Sequence, residues 1–285
     1  MKNLLRSIHH FLSSKFQTLF LEYKVDFKPR YGFGKPPHKE LYEIINRHRN
    51  EYALSLSQFL NYKNIFHSIK TNEKETNEAE PRWNNNYLPG LDIVALYSFI
   101  RIYKPKHYIE IGSGNSTKVA RKAINDEGLK TKVTSVDPFP RASIDNLADK
   151  VIRQPAENLG DYSFIHSLEE NDILFIDNSH RCFPNSDVTV CFLEILPKLK
   201  KGVIVHIHDI YLPYDYPQFM CDRFYSEQYL LATMLLANPD RYRVLLPDFF
   251  VSEDAELSKI LEPIWSHPNL SNVERHGGSF WYRMN

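Results

Sequence analysis

From residue 107 onward, short apolar runs alternate with longer amphipathic stretches. The runs 107–111, 132–136, 150–153, 172–176 and 202–208 are rich in Val and Ile and predict strands buried on both faces. The stretches 116–127, 140–148, 163–168 and 187–199 between them predict helices. Strand–helix alternation implies right-handed crossovers and a parallel sheet. Two later strand candidates, 242–246 and 279–283, flank a helical stretch at 255–264 and predict an antiparallel closing pair. The fold class read from this pattern is α/β: a three-layer, open, mostly parallel seven-stranded sheet with an N-terminal helical extension.

Ahead of the sheet, helical spacing recurs in 39–66 (Leu41, Ile44, Ile45, Leu54, Leu56, Phe59, Leu60) and in 93–103. The turn-rich RYGFGKPPH at 30–38 breaks the N-terminal region, and the polar, acidic TNEKETNEAEP at 71–81 has no periodicity. The expected organisation is a basic helical extension at 1–70, a linker at 71–82 and an α/β domain at 83–285. The first 21 residues are basic and amphipathic, with apolar Leu4, Leu5, Ile8, Phe11, Leu12, Phe16, Leu19 and Phe20. They read as a helix packed on this chain or on a second subunit of a homodimer, or as a helix resting on an anionic membrane surface.

Composition narrows the class. In 285 residues, 42% are apolar and 25% charged, which excludes a mainly disordered or fibrous chain. Lys plus Arg and Asp plus Glu both number 35, which argues against a dedicated nucleic-acid binder. That zero is a cancellation: residues 1–70 hold 12 basic and 5 acidic side chains, and the rest 23 and 30. Three cysteines without metal-type spacing fit a reducing cytoplasm, and no apolar run approaches the ~20 residues that span a bilayer. Only ten glycines occur, and two of them, Gly112 and Gly114, stand two residues apart.

Those two glycines lie in Tyr108-Ile-Glu-Ile-Gly-Ser-Gly-Asn-Ser-Thr117, a strand, a turn and a helix start. Glycines let the backbone turn sharply and approach a ligand, Ser116 or Thr117 can cap the helix, and open α/β sheets bind nucleotides at such a turn. Glu110 sits just before the turn, where a pyrophosphate would be repelled and a cationic ligand favoured. The dinucleotide fingerprint needs a third small residue where Thr117 stands. Asp137 ends the second strand 23 residues after Gly114, where a carboxylate can accept ribose hydroxyls or cap a helix.

With an Asp ending the fourth strand, this order resembles the class I, Rossmann-like, S-adenosylmethionine-dependent methyltransferases over roughly 83–285. The resemblance implies that Gly112, Gly114, Asn115 and Ser116 hold the methionine part of S-adenosyl-L-methionine. It implies that Asp137 holds the ribose, that Glu110 orders the loop or meets the methionine amine, and that Glu157 lies near the adenine. Phe175-Ile-Asp177-Asn-Ser-His180 and His206-Ile-His208-Asp209 put acids after strands four and five. This is similar to the small-molecule and sugar O-methyltransferases, including the branch labelled cephalosporin hydroxylase. There the resemblance implies Mg²⁺ on Asp177 and Asp209, but the further Asp or Asn of the metal-dependent members is Ile210 here. Histidine substitutes would suit Zn²⁺ or Fe²⁺ better than Mg²⁺.

Methyl transfer to a hydroxyl needs an acceptor for its proton. The candidate catalytic residues are Asp177, His180, His208 and Asp209, with a histidine as base. Trp83, Asn86 and Tyr87, in a loop of amides and aromatics, and Tyr211 and Glu227 after strand five, are the candidate contacts for a small hydroxylated acceptor. An NAD(P)-dependent oxidoreductase and a non-catalytic methyltransferase-like binding module are the competing readings.

Overall fold

Seven strands form one sheet in the order β3-β2-β1-β4-β5-β7-β6 in a computed structural model, which describes residues 9, 11–14, 17–140 and 142–285. They are β1 His107–Ile111, β2 Lys132–Val136, β3 Lys150–Ile152, β4 Ile173–Ile176, β5 Ile204–Ile207, β6 Tyr242–Pro247 and β7 Phe280–Met284. β1 to β5 are parallel, and β7 runs antiparallel between β5 and β6. Every residue of β4 and β5 is buried, because helices cover both faces, and this is why the central strands read as unbroken apolar runs.

The strands fall where the apolar runs placed them, whereas several helices are shorter than their spacing predicts. The stretch 140–148 yields one 3₁₀ turn, Asp145–Leu147, among its described residues; Pro138 and Pro140 each remove a backbone donor there. The stretch 187–199 begins as an α-helix, Asp187–Val190, continues as a π-helix, Cys191–Ile195, and ends in a 3₁₀ turn at Pro197, which has no N–H to extend the ladder. The stretch 255–264 divides into Leu257–Ile260 and Glu262–Trp265, with Pro263 in the second piece.

Among the described residues, 39–68 include three α-helices: α1 Lys39–Asn46, α2 Arg49–Phe59 and α3 Lys63–Ser68. They are followed by α4 Gly90–Tyr103 and α5 Asn115–Glu127, which flank β1 in sequence. The loop 71–82 does not separate two cores. Leu41, Ile45, Tyr52, Leu56, Phe59 and Phe66 belong to the same buried cluster as the sheet, and the Phe59 ring meets Phe99 of α4 edge-on at 5.1 Å. Residues 39–70 therefore cover the sheet rather than project from it.

Leu4, Leu5, Ile8 and Phe16 of the amphipathic segment lie outside the described residues, while Phe11, Leu12, Leu19 and Phe20 are exposed. Among the described residues, no helix is long and apolar enough to cross a membrane.

Candidate active site

The carboxyl ends of β1, β2 and β4 meet at one cavity of about 360 Å³. Its wall includes Gly112, Ser113, Gly114, Asn115 and Ser116 from the turn, Asp137 after β2, Glu157 after β3, and Asp177 after β4. Tyr87 and Leu88 close one side. Gly112 has φ +85°, a conformation that L side chains rarely adopt. Over Gly114 a β-carbon would meet nothing within 4 Å, so the loop leaves open space there.

Buried polar groups hold this loop. Asp137 accepts Ser113 N–H (2.9 Å) on one oxygen and Phe139 N–H (2.7 Å) on the other, and its side chain still reaches the cavity. Glu110 does not reach it. Fully buried under the turn, it accepts from Tyr108 Oη (2.9 Å) and Thr117 Oγ1 (2.5 Å). Thr117 Oγ1 in turn accepts Gly114 N–H (3.2 Å). The threonine that departs from the dinucleotide fingerprint is thus the link by which Glu110 fixes the turn. Burial pushes the Glu110 carboxyl up to about 7, with the Thr117 and Tyr108 hydroxyls pulling the other way.

Beyond Asp177 the cavity gives way to a cluster of imidazoles and carboxylates. His180 Nε2 stands 3.2 Å from Asp177 Oδ1 and 3.4 Å from Asp209 Oδ2, and its Nδ1 is 3.0 Å from Glu227 Oε2. His208 Nδ1 is 3.5 Å from Asp177 and 3.6 Å from Asp209, and its Nε2 is 3.3 Å from Asp92 Oδ2. His180 and Asp209 both adopt left-handed backbone, φ +60° and +56°, a conformation that residues with a β-carbon seldom take.

The charges follow from the geometry. Burial alone would lower both histidines, but Asp177, Asp209 and Glu227 push His180 well above its ordinary value, and Asp209, Asp177 and Asp92 do the same to His208. Burial would raise Asp177, yet the two imidazoles hold it well below the usual carboxylate range. The facing carboxylates thus favour the charged form of both rings. His206 is different: burial keeps it neutral, stacked 3.7 Å from Trp281 with Nε2 2.6 Å from Ser279 Oγ, as a core histidine.

The acceptor contacts need three corrections. Trp83 is fully buried, donates to the Phe66 carbonyl (3.2 Å) and packs edge-on to Trp265, so it is core rather than a stacking platform. Glu227 is fully buried and reaches only as far as His180, so it orients that ring instead of touching an acceptor. Tyr211 is buried against Phe249, ring centroids 4.4 Å apart. Asn86 and Tyr87 are exposed, and Tyr87 lines the cavity. Their loop is a capped turn: Asn85 accepts Tyr87 N–H and Leu88 N–H, and accepts Asn115 Nδ2 (3.2 Å) from the glycine turn.

The proposed Mg²⁺ ligands do not make an oxygen cage. Imidazole nitrogens face both Asp177 and Asp209, and among the described residues no group of three or more His, Cys, Asp or Glu side chains is arranged to hold a metal ion. The sequence reading missed Asp92 and Asp248, and took Thr117 only as a helix cap or a departure from the dinucleotide fingerprint. Asp92 carried a signal, as the one charged residue in the apolar run 91–100.

Residues 109–210 match the family model described as a methyltransferase domain. A curated protein of Archaeoglobus fulgidus, described as an uncharacterized protein, is 34% identical over 99 residues, 32% of this chain and 43% of that protein. The chain thus spans less than half the length of that curated relative. Among solved structures, the chain is similar to the SAH-bound methyltransferase PaMTH1 of Podospora anserina (18% identity, 68% of this chain and 78% of that one, TM-score 0.40). It is also similar to the plantazolicin methyltransferase BamL (14%, 86% and 99%, 0.41) and to a branched-chain polyamine synthase of Thermus thermophilus (10%, 81% and 64%, 0.40). The segment that matches the methyltransferase-domain model carries the glycine turn, Asp137, Asp177, His180, His208 and Asp209, and it lies in the parallel part of the seven-stranded sheet.

Proposed function

We propose that this chain is an S-adenosylmethionine-dependent methyltransferase that methylates a hydroxyl of a small acceptor, sugar or natural-product in type, in the cytoplasm. The observation that supports this most is the continuity of one cavity wall from the glycine turn past Asp137 and Glu157 to Asp177, where the buried histidine cluster begins. Gly112, Ser113, Gly114, Asn115, Ser116, Asp137 and Glu157 would hold the cofactor, and the acids Asp137 and Asp177 suit its positive charge. Once bound, the cofactor supplies a methyl group activated on a sulfonium.

The residues of the chain do the rest. Tyr87 at the cavity mouth and the rim between Asp177 and Asp209 are where an acceptor hydroxyl meets the site. His180 is the proposed base. Glu227 fixes its Nδ1, and Nε2 faces the rim, an arrangement in which a buried carboxylate sets the ring's tautomer. The ring accepts a proton only after giving up its own, so turnover rises with pH through the raised His180 value. Glu227 and Asp177 thereby tune the pH at which the site works. The oxidoreductase reading has less support, because Thr117 is committed to Glu110 and Gly114.

Incubation of the protein with methyl-labelled S-adenosylmethionine and a panel of sugars, phenols and amines tests the reading. Label is expected in hydroxylated acceptors and to be lost in Asp177→Ala. Transfer to amines alone would overturn the hydroxyl assignment, and no transfer to any acceptor would favour the non-catalytic module.

A further inference from the structure

The motif Trp83-Asn-Asn-Asn-Tyr87-Leu-Pro-Gly90 leads the chain up to the cavity, and its asparagines differ in what they hold. Just before it the chain runs beside α5. Glu80 Oε2 stands 3.8 Å from Lys122 Nζ, and five residues later Asn85 meets Asn115, about two turns nearer the start of that helix. The segment is therefore laid antiparallel to α5 and aimed at the glycine turn. Asn84 and Asn86 take left-handed backbone, φ +52° and +69°, which asparagine tolerates better than most side chains. Asn84 ties the segment to the other side: its Nδ2 donates to the Asn272 carbonyl (2.9 Å) and its Oδ1 accepts Glu274 N–H (3.1 Å). Gly90 N–H then donates to the Glu274 carbonyl (2.9 Å).

Asn85, between them, is buried at 6% exposure and bonded through both ends of its amide. Its Nδ2 donates to the Arg82 carbonyl (2.9 Å) and the Leu88 carbonyl (3.0 Å). Its Oδ1 accepts Tyr87 N–H (3.0 Å), Leu88 N–H (2.8 Å) and Asn115 Nδ2 (3.2 Å). The first two of those three close the turn on itself, and the third leaves it. A turn that only redirected the chain would be complete without the bond to Asn115. Asn115 opens α5 and lines the cavity, as do Tyr87 and Leu88. One oxygen thus joins three residues of the cavity wall that come from two separate stretches of chain. Tyr87 is half exposed, so burial alone does not fix it, and the bonds to Asn85 set its backbone.

We propose that Asn85 is a positioning residue of the cofactor cavity: its Oδ1 seats Tyr87 as part of the wall and ties that wall to the glycine turn through Asn115, so that a cofactor settled on the turn orders the loop 84–88. The cofactor's identity in this proposal rests on the methyltransferase reading. The coupling works in both directions, because a ligand that restrains the loop is held more tightly by a loop already restrained. The Tyr87 ring supplies the apolar surface that a seated loop brings to the ligand.

Hydrogen exchange of the full-length chain with and without SAH, read by mass spectrometry, tests this together with calorimetry on the same samples. In the wild type, SAH is expected to slow exchange at 86–88 as well as at 112–116. In Asn85→Ala the slowing at 86–88 should be lost while that at 112–116 persists, and SAH should bind about tenfold more weakly. Tyr87→Ala should weaken SAH about threefold. The double variant should match Asn85→Ala rather than reach the roughly thirtyfold loss of independent sites, because Asn85 acts partly through Tyr87. A merely structural asparagine would lower stability without moving the cycle or the SAH-dependent exchange. A wild type in which SAH protects 112–116 and leaves 86–88 unchanged overturns the proposal, and so does additive loss in the double variant. If Asn85→Ala does not fold, the wild-type exchange pattern and Tyr87→Ala decide, and a Tyr87→Ala affinity equal to the wild type's overturns it. These failures all occur in a wild type that binds SAH; a wild type that does not bind SAH overturns the methyltransferase reading and this proposal with it.

Discussion

Gly112 and Asp177 meet backbone to backbone: a β-carbon on Gly112 would stand 1.8 Å from the Asp177 carbonyl oxygen. The turn that lines the cavity is thus seated on the residue that follows β4, and the two halves of the site share one contact. Gly112→Ala is expected to cost about 2 kcal/mol or more of stability, from its positive φ and from the displaced strand end. Gly114→Ala, whose added carbon meets open space, should fold normally and bind SAH roughly tenfold more weakly, since that space belongs to the cavity. Denaturant melts and calorimetry on the two variants check both statements. Equal stability loss in the two would contradict the assignment.

Glu110 supplies a pH test of the fold. Its folded value of about 7 lies above the ordinary carboxylate range because it is buried. A raised value means that its contribution to stability is fully present below the unfolded value, near 4.5, and is lost as pH rises through 7. Glu110→Gln is neutral at every pH. Between pH 5 and 8 the wild type should therefore lose up to about 3 kcal/mol more unfolding free energy than the variant. Parallel pH curves for the two proteins would show that Glu110 ionises freely under the turn.

The His180–Glu227 pair governs the expected rate profile. His180→Ala should lower turnover about a hundredfold or more with SAH affinity retained, as for loss of a general base. Glu227→Gln removes a carboxylate that raises His180, so the rising limb of the pH–rate profile should move about one unit toward acid, with a lower plateau. A limb that does not move would separate Glu227 from the base.

Magnesium gives a further check. Imidazoles face Asp177 and Asp209, so titration with MgCl₂ should give no saturable heat and EDTA should leave SAH binding unchanged. A Mg²⁺ isotherm abolished by Asp177→Asn would restore the metal site.

The sheet was legible because its strands are buried on both faces: the runs at 107–111 and 132–136 coincide with β1 and β2 to the residue. Helix lengths were less so, since Pro140, Pro197 and Pro263 interrupt the pattern without erasing its apolar spacing. Glycine, acid and strand order was enough to place Gly112, Gly114, Asp137, Glu157 and Asp177 on one cavity wall. What spacing could not show is burial. Trp83 and Glu227 have the chemistry of acceptor contacts, yet packing takes both out of reach of any acceptor. Asp92 meets His208, and Asp248 stands nearby, where Gly277, about 185 residues along the chain from Asp92, leaves room for both acids.

The central claim is that the cavity above Gly112, Gly114 and Asp137 holds a sulfonium cofactor rather than a dinucleotide. Calorimetric titration with SAH and, in parallel, NADH tests it most directly. SAH is expected to bind with low-micromolar affinity, weakened about tenfold or more by Asp137→Ala, which also frees Ser113 and Phe139 N–H, and NADH is expected to give no heat. Absence of SAH binding at high micromolar concentration, or NADH binding sensitive to Asp137→Ala, would contradict the account.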